Sequence, residues 1–274
     1  MEQHVFHGFR DLAERLAGIT LHDGAATLVT ARVAGRLREL ELASEEQYLA
    51  LLQSEDGAGE AVHFLDAIST GFTSFWREGD HFVDLAARAR RALAAGQRRF
   101  RYWSAACSAG HEPYSMAVAL EPVFRGLDVD WKILATDLST RRLQRAAAGV
   151  YARTEVAALP AAARAAYFEP AGEHPAFGRL YRVRETLKGH VVFRRLNLAQ
   201  PPFPMRGPLD AVFCRNVMIY FGAPVRRALV AEVERLLAPG GALYVGQSEP
   251  LSHLGSGLQA ERPTVLVRPT EGRQ

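Results

Sequence analysis

One carboxylate, Asp137, stands where an α/β sheet would place it to hold a small organic ligand, and a second, Glu112, follows the turn of the first strand-turn-helix unit. Glu112 belongs to residues 99–120, RFRYWSAACSAGHEPYSMAVAL. The aromatic-rich opening reads as a strand, and Ala105 to Gly110 as a tight turn of small residues. Pro113 suits the first turn of the helix that follows, where no N–H is needed. Strand, turn and helix make the first unit of a ligand-binding α/β sheet, in which small residues let a ligand approach the backbone. The G-x-G-x-x-G pattern of a dinucleotide site is absent, so the turn points only to a nucleoside-type cofactor. Asp137 closes the buried run 131–137, and a carboxylate there suits a ribose diol, whose two hydroxyls both donate to it. Its competing role is a helix N-cap, but Ser139 is available for that ahead of a helix expected over 140–150.

The elements that must position these residues fall into two styles. Before residue 95 the chain reads as all-helical, with Val5, Phe6, Phe9, Leu12, Ala13 and Leu16 at helical spacing. Further helices are expected over 25–40, 61–68 and 80–95, and Ser44-Glu45-Glu46-Gln47 is a capping box opening another through Leu52. Arg32 and Arg36 share one helix face, read as a solvated face. Gly96-Gln97-Arg98 is the expected hinge into the α/β part. Between about 151 and 190 the rhythm departs from β-α-β alternation. A short alanine-rich helix, a Gly- and Pro-punctuated loop at 169–178 and strands at 180–184 and 190–193 read as a small insertion with β character. A strand at 209–214 then runs into 215–221, a helix spans 225–237, and Pro239-Gly240-Gly241 turns into a strand at 242–246. The expected fold is α/β: an N-terminal all-helical domain, 1–95, then a doubly wound, Rossmann-like domain, 96–274, with a β-subdomain insertion at about 151–190.

Composition bounds the function. In 274 residues, 48% hydrophobic and 23% charged residues describe an ordinary globular protein with a sizeable core. The net charge of +3 is small and the arginines are interleaved with acids, so no basic stripe marks a nucleic-acid partner. No apolar run approaches a membrane span, and residues 1–4 carry neither the positive nor the apolar region of a signal peptide. Cys107 and Cys214 are the only cysteines and read as small buried residues. The nine histidines show no ligand spacing, and no metal is expected. A reduced, cytoplasmic monomer is the expectation.

Several motifs in one order carry a family resemblance. They are 73–78 (TSFWRE), 103–105 with 112–115 (WSA, EPYS), 135–137 (ATD), 214–221 (CRNVMIYF) and 246–249 (GQSE). Together they resemble the CheR-type chemotaxis receptor methyltransferases, protein-glutamate O-methyltransferases, over nearly the whole chain. The resemblance implies a Rossmann-like S-adenosylmethionine methyltransferase domain with a small β-subdomain. It implies cofactor contacts at Thr73, Arg77, Glu112, Asp137, Asn197, Leu198, Cys214 and Arg215, and catalytic roles for Tyr220, close to the reacting methyl, and for Arg77, fixing a carboxylate of the substrate or of the cofactor. It also implies S-adenosylhomocysteine as product and the cytoplasmic helices of methyl-accepting chemoreceptors as substrate. In some relatives a receptor C-terminal peptide docks on the β-subdomain by strand addition. The alternative is a non-catalytic S-adenosylmethionine-binding signalling module. The chain departs from the family pattern at Gly71 (usually Asn), His111 (usually Glu) and Ser139 (often Asp), positions that bear on cofactor affinity.

Overall fold

The computed structural model of the chain describes residues 1–69, 73–249 and 255–270. Gly71 therefore lies outside the described residues. The chain opens with α1 (Gln3–Ala17), α2 (Ala26–Glu39), α3 (Glu45–Gln53) and α4 (Ala58–Ile68). The helical spacing of Val5, Phe6, Phe9, Leu12 and Ala13 turns one stripe of α1 onto Val29 and Val33, Tyr48 and Leu52, and Phe64 and Leu65. The Phe9 and Phe64 rings stack at 5.4 Å. Ser44 caps α3 by accepting from the Gln47 N–H, while Gln47 Oε1 reaches back to the N–H of Ala43, one residue beyond the expected box partner. Arg36 is not part of a solvated face. Its Nε and Nη2 donate to Glu60 on α4 at 2.8 and 2.7 Å, and the Tyr48 hydroxyl donates to the same carboxylate at 2.7 Å. Spacing along α2 identifies a shared face, not the helix packed against it; Arg32 does stay exposed.

α5 (Asp80–Ala94) is helical as expected but packs elsewhere. Phe82, Leu85, Ala86 and Ala89 belong to one core with Phe100, Tyr102, Phe213 and Tyr244 of the sheet. The expected division at residue 95 thus cuts through a single core, and the packing changes between Ile68 and Phe75 instead. Periodicity predicts a helix without saying which core it joins.

From there the chain runs through β1 (Arg99–Ala105), α6 (His111–Phe124), β2 (Asp130–Asp137) and α7 (Thr140–Ala148). An excursion follows: β3 (Val150–Ala152), α8 (Arg153–Val156), α9 (Ala161–Tyr167), β4 (Phe168–His174), β5 (Gly178–Val183) and α10 (Glu185–Lys188). The chain returns through β6 (Val191–Arg195), β7 (Leu209–Cys214), α11 (Ala223–Leu236), β8 (Leu237–Tyr244), β9 (Gln259–Arg262) and β10 (Val265–Val267). The main sheet has the order β6-β2-β1-β7-β8-β10-β9, parallel through β8, with β10 and β9 added antiparallel. The order reverses between β1 and β7, the switch point at which doubly wound sheets bind ligands.

The insertion forms a separate antiparallel sheet, β3-β5-β4. Three local expectations are corrected here. The run at 190–193 is not part of this sheet; as β6 it pairs parallel with β2. Most of the expected loop 169–178 is β4, paired with β5 through a register shift between Pro170 and Glu173 that hides its alternation. Gly149 takes the left-handed conformation at φ 64° and ends α7, so Val150 opens β3 instead of closing the helix. β9 and β10, of four and three residues, are too short for a periodic signal.

Candidate active site

The turn after β1 is built around backbone that side chains resist. Ala106 and Ser108 take φ of 61° and 48°, and Gly110 takes 89°. A Cβ on Gly110 would stand 2.8 Å from both Ala146 Cβ and the Tyr151 hydroxyl, so glycine is required twice over. The turn delivers Glu112 into the first turn of α6. Ser104 Oγ, at the end of β1, donates to Glu112 Oε1 at 2.7 Å. Arg215 Nη1, just beyond β7, donates to Oε2 at 3.2 Å. Burial pushes the Glu112 carboxyl up, opposed by the Arg215 charge and the Ser104 hydrogen bond.

Asp137 ends β2 with both oxygens held by the backbone. Oδ2 accepts from the Ser108 N–H at 2.8 Å and Oδ1 from the Ser139 N–H at 2.9 Å. Ser139 caps α7 by accepting from the Arg142 N–H at 3.1 Å, so Asp137 is not consumed as a cap. Each of its oxygens keeps a lone pair for a further donor. Burial pushes this carboxyl up as well, against the two backbone hydrogen bonds.

Arg215 is the centre of the charged group. Its Nη2 donates to the Arg77 carbonyl at 2.6 Å and lies 3.1 Å from Glu78 Oε2. The guanidinium carbon is 5.7 Å from the Phe82 ring centroid and 6.0 Å from that of Phe213. The segment after it is clamped by Glu249, whose Oε1 accepts from the N–H groups of Val217 and Met218 at 2.9 and 2.8 Å. Its Oε2 accepts from the Gly246 N–H. This clamp sets the short turn Met218–Tyr220 and with it the placement of Tyr220.

These groups surround a cavity of about 250 Å³ at the switch point. Thr73, Arg77, Glu112, Asp137, Asn197, Leu198, Arg215 and Tyr220 all line it. The outer wall comes from the helical part, with Ile19, Leu21 and Leu28. Cys214 is the one expected site residue not on the lining; it is buried in register with Ala105, one residue before Arg215. Asn197 lines the cavity but its amide is committed to the protein. Nδ2 donates to the Leu16 carbonyl at 2.7 Å and Oδ1 accepts from the Ala199 N–H at 3.0 Å. His111 is not on the lining. It packs against the rings of Phe75 and Tyr151, at 4.7 and 4.8 Å, with Nε2 2.9 Å from Glu155 Oε1. Cys107 is buried, and burial pushes its thiol well up, away from thiolate chemistry. Among the described residues no group of His, Cys, Asp and Glu is arranged to hold a metal.

Two residues of the site carry no role in the sequence reading. Glu78 had its position beside Arg77 as a signal, and Glu249 its place in a recurring tetrapeptide. Their partners are far away in sequence, so neither function is visible without the fold.

Comparison with known proteins decides the family. Residues 71–265 match the model described as "CheR methyltransferase, SAM binding domain", and residues 4–69 match "CheR methyltransferase, all-alpha domain". The chain belongs to the CheR methyltransferase family. It is 39% identical over 249 residues to the chemotaxis protein methyltransferase of Escherichia coli K12, covering 91% of this chain and 85% of that one. It is 39% identical over 260 residues to chemotaxis protein methyltransferase 2 of Pseudomonas aeruginosa, covering 95% and 91%. The cofactor of this CheR-family chain is S-adenosylmethionine. The residues present fit it. A buried carboxylate at the end of β2 with lone pairs to spare suits a diol, and a second, on α6, suits an ammonium. Among the described residues no helix is long and apolar enough to cross a membrane.

Proposed function

We infer that this CheR-family methyltransferase esterifies glutamate side chains on the cytoplasmic helices of chemoreceptors. The convergence of Arg77, Tyr220, Glu112 and Asp137 on one cavity carries this reading. Bound there, S-adenosylmethionine supplies an electrophilic methyl: a carbon–oxygen bond forms as the carbon–sulfur bond breaks and its electron pair returns to sulfur. A glutamate carboxylate, with a pKa of about 4.3, is already the nucleophile at neutral pH, so no general base is required. The protein's task is alignment and exclusion of water. Glu112 takes the cofactor's ammonium and Asp137 its ribose diol. Arg77 fixes a carboxylate by paired hydrogen bonds, and Tyr220 shapes the transfer pocket and orients an oxygen. Arg215, buried between carboxylates, acts through Glu112.

The printed names of the relatives, chemotaxis protein methyltransferases, support a chemoreceptor substrate. β4 is an edge of the small sheet, which suits strand addition by a receptor C-terminal peptide. The reading includes a cytoplasmic monomer with a helical unit ending near residue 69 and α5 counted with the sheet domain. A non-catalytic binding module had Gly71 and His111 in its favour; the His111 side chain is not on the cavity lining and pairs with Glu155, and Gly71 lies outside the described residues.

The test is labelled cofactor, a receptor cytoplasmic fragment and a count of base-labile methyl esters. Esters are expected with the wild type, reduced by at least about a hundredfold in Arg77→Ala, as for loss of an oriented charge contact in a transition state. Measurable cofactor binding without esters above the Arg77→Ala control would sink the enzymatic reading.

A further inference from the structure

At the cavity wall, two carboxylates and two guanidinium groups form one chain of contacts, with Glu78 the one member that does not line the cavity. Glu78 follows Arg77 in the turn that leads into α5, its side chain 13% exposed. Its Oε1 lies 3.8 Å from Arg77 Nε and its Oε2 3.1 Å from Arg215 Nη2. Arg215 in turn meets Glu112 at 3.2 Å. The backbone at Trp76 and Glu78 is left-handed, with φ of 57° and 54°. Non-glycine residues persist there only where the surroundings over-determine the conformation, and such positions gather at functional sites. His81 is a further titratable neighbour of Glu78, with Nδ1 3.8 Å from Glu78 Oε2 and Nε2 2.8 Å from Thr264 Oγ1, and Glu249 acts on Glu112 from the other side. Burial first, then the Arg215 charge, pushes His81 down to about 4, so it adds no charge at neutral pH. Within this chain of contacts, Arg77 and Arg215 bring two positive charges and Glu78 and Glu112 two negative ones.

We propose that Glu78 is a positioning residue that balances the charge of Arg77 and Arg215 and so sets the ratio of the site's affinities for the cationic cofactor and for its demethylated product. The proposal rests on the reading that Glu112 takes the cofactor's ammonium. Cofactor and product share an ammonium and a carboxylate, but only the cofactor carries a sulfonium, so their net charges are +1 and 0. Neutralising Glu78 leaves one uncompensated positive charge in a partly desolvated site. Such a charge opposes the ligand with net charge and spares the ligand without it. A purely structural role would weaken both ligands alike.

The experiment is calorimetric titration of S-adenosylmethionine and S-adenosylhomocysteine into wild type, Glu78→Gln and Glu78→Asp, with initial rates of ester formation alongside. In Glu78→Gln the Kd for the cofactor rises about tenfold and that for the product no more than about twofold. The KM for the cofactor follows its Kd, while kcat falls by less than about threefold. Glu78→Asp, which keeps the charge, brings the ratio of the two affinities back to within about twofold of wild type. Equal losses for the two ligands, no loss, or a fall confined to kcat overturns the proposal. Should Glu78→Gln fail to fold, Glu78→Asp carries the test alone, and a shifted ratio overturns the proposal. Absence of cofactor binding by the wild type sinks the proposed function and this inference together. Normal wild-type binding with an unaltered ratio in Glu78→Gln sinks this inference only.

Discussion

At the scale of single residues, the site works by committing side chains to one another before any ligand arrives. Glu249 is the strongest case among the described residues: one buried carboxylate accepts from three backbone N–H groups on two segments. Glu249→Gln replaces one of its acceptor oxygens with a donor and leaves a buried N–H without a partner, which costs about 1–3 kcal/mol. In a chain of this size each kcal/mol lowers the melting temperature by about 2–4 °C. Because the clamped segment ends at Tyr220, kcat for ester formation should fall more than cofactor affinity. Melting curves, calorimetry and initial rates on the one variant check this, and an affinity loss with unchanged kcat would count against it.

At the scale of elements, the small β-subdomain is tied to α6 through a carboxylate. Glu155 on α8 accepts from His111 Nε2 at 2.9 Å, from Arg145 at 2.7 Å and from the Ala152 N–H at 2.9 Å. Burial works against its ionisation but is outweighed by the hydrogen bonds from His111 and Ala152 and by the Arg145 charge, which hold it down at about 2. A carboxyl depressed in the folded state stabilises fully above its unfolded pKa and loses that contribution as pH falls through its folded value. The window here is pH 4.5 down to about 2. Allowing for solvent screening of a partly exposed group, about 1–2 kcal/mol is at stake. Melting temperature against pH should therefore fall less steeply in Glu155→Gln than in the wild type across that window; parallel curves would refute the assignment. On the same face of the sheet, α5 is fastened to β8 and β9 by Asp84, which accepts from the Tyr244 hydroxyl at 2.7 Å and pairs with Arg262 Nη2 at 2.7 Å. That fastening fixes the end of α5 from which Arg77 and Glu78 project toward the site.

At the scale of the whole molecule, the cavity exists because the helical unit closes over the sheet. Asn197 ties Leu16 to the segment after β6, the Thr20 N–H donates to the Tyr220 carbonyl at 2.8 Å, and Arg142 donates to the Ser69 carbonyl at 2.6 Å. Gly18, left-handed at φ 66°, lets the end of α1 approach so closely that a Cβ there would stand 2.7 Å from Ala199 Cβ. Asn197→Ala is expected to weaken cofactor binding about three- to tenfold, as for loss of one or two buried hydrogen bonds. Gly18→Ala should act in the same direction although Gly18 does not line the cavity. Calorimetry on both variants separates the two explanations: a loss confined to Asn197→Ala would mean direct contact with the cofactor and not closure by the helical unit.

Much of this was legible in the chain itself. The strands at 99–105 and 130–137, the turn of small residues between β1 and α6, and the strand-end carboxylate Asp137 follow from periodicity and turn chemistry, which act over a few residues, while Glu112 came with the family resemblance. The ordered motifs named the family because each preserves a local geometry. What the fold alone decided depends on partners far away in sequence. α5 has the same pattern as the helices before it, yet it belongs to the sheet core. Residues 190–193 look like the strands of the insertion, yet they pair with β2. His111 is off the cavity lining and faces Glu155, while Glu78 and Glu249, the last residues of two recognised motifs, acquire roles through Arg215 and through the backbone of 217–218. Local physics determined which elements form and which residues stand at their ends. The packing of those elements, and the pairing of charges buried between them, is a long-range balance of burial and electrostatics that only the tertiary structure resolves.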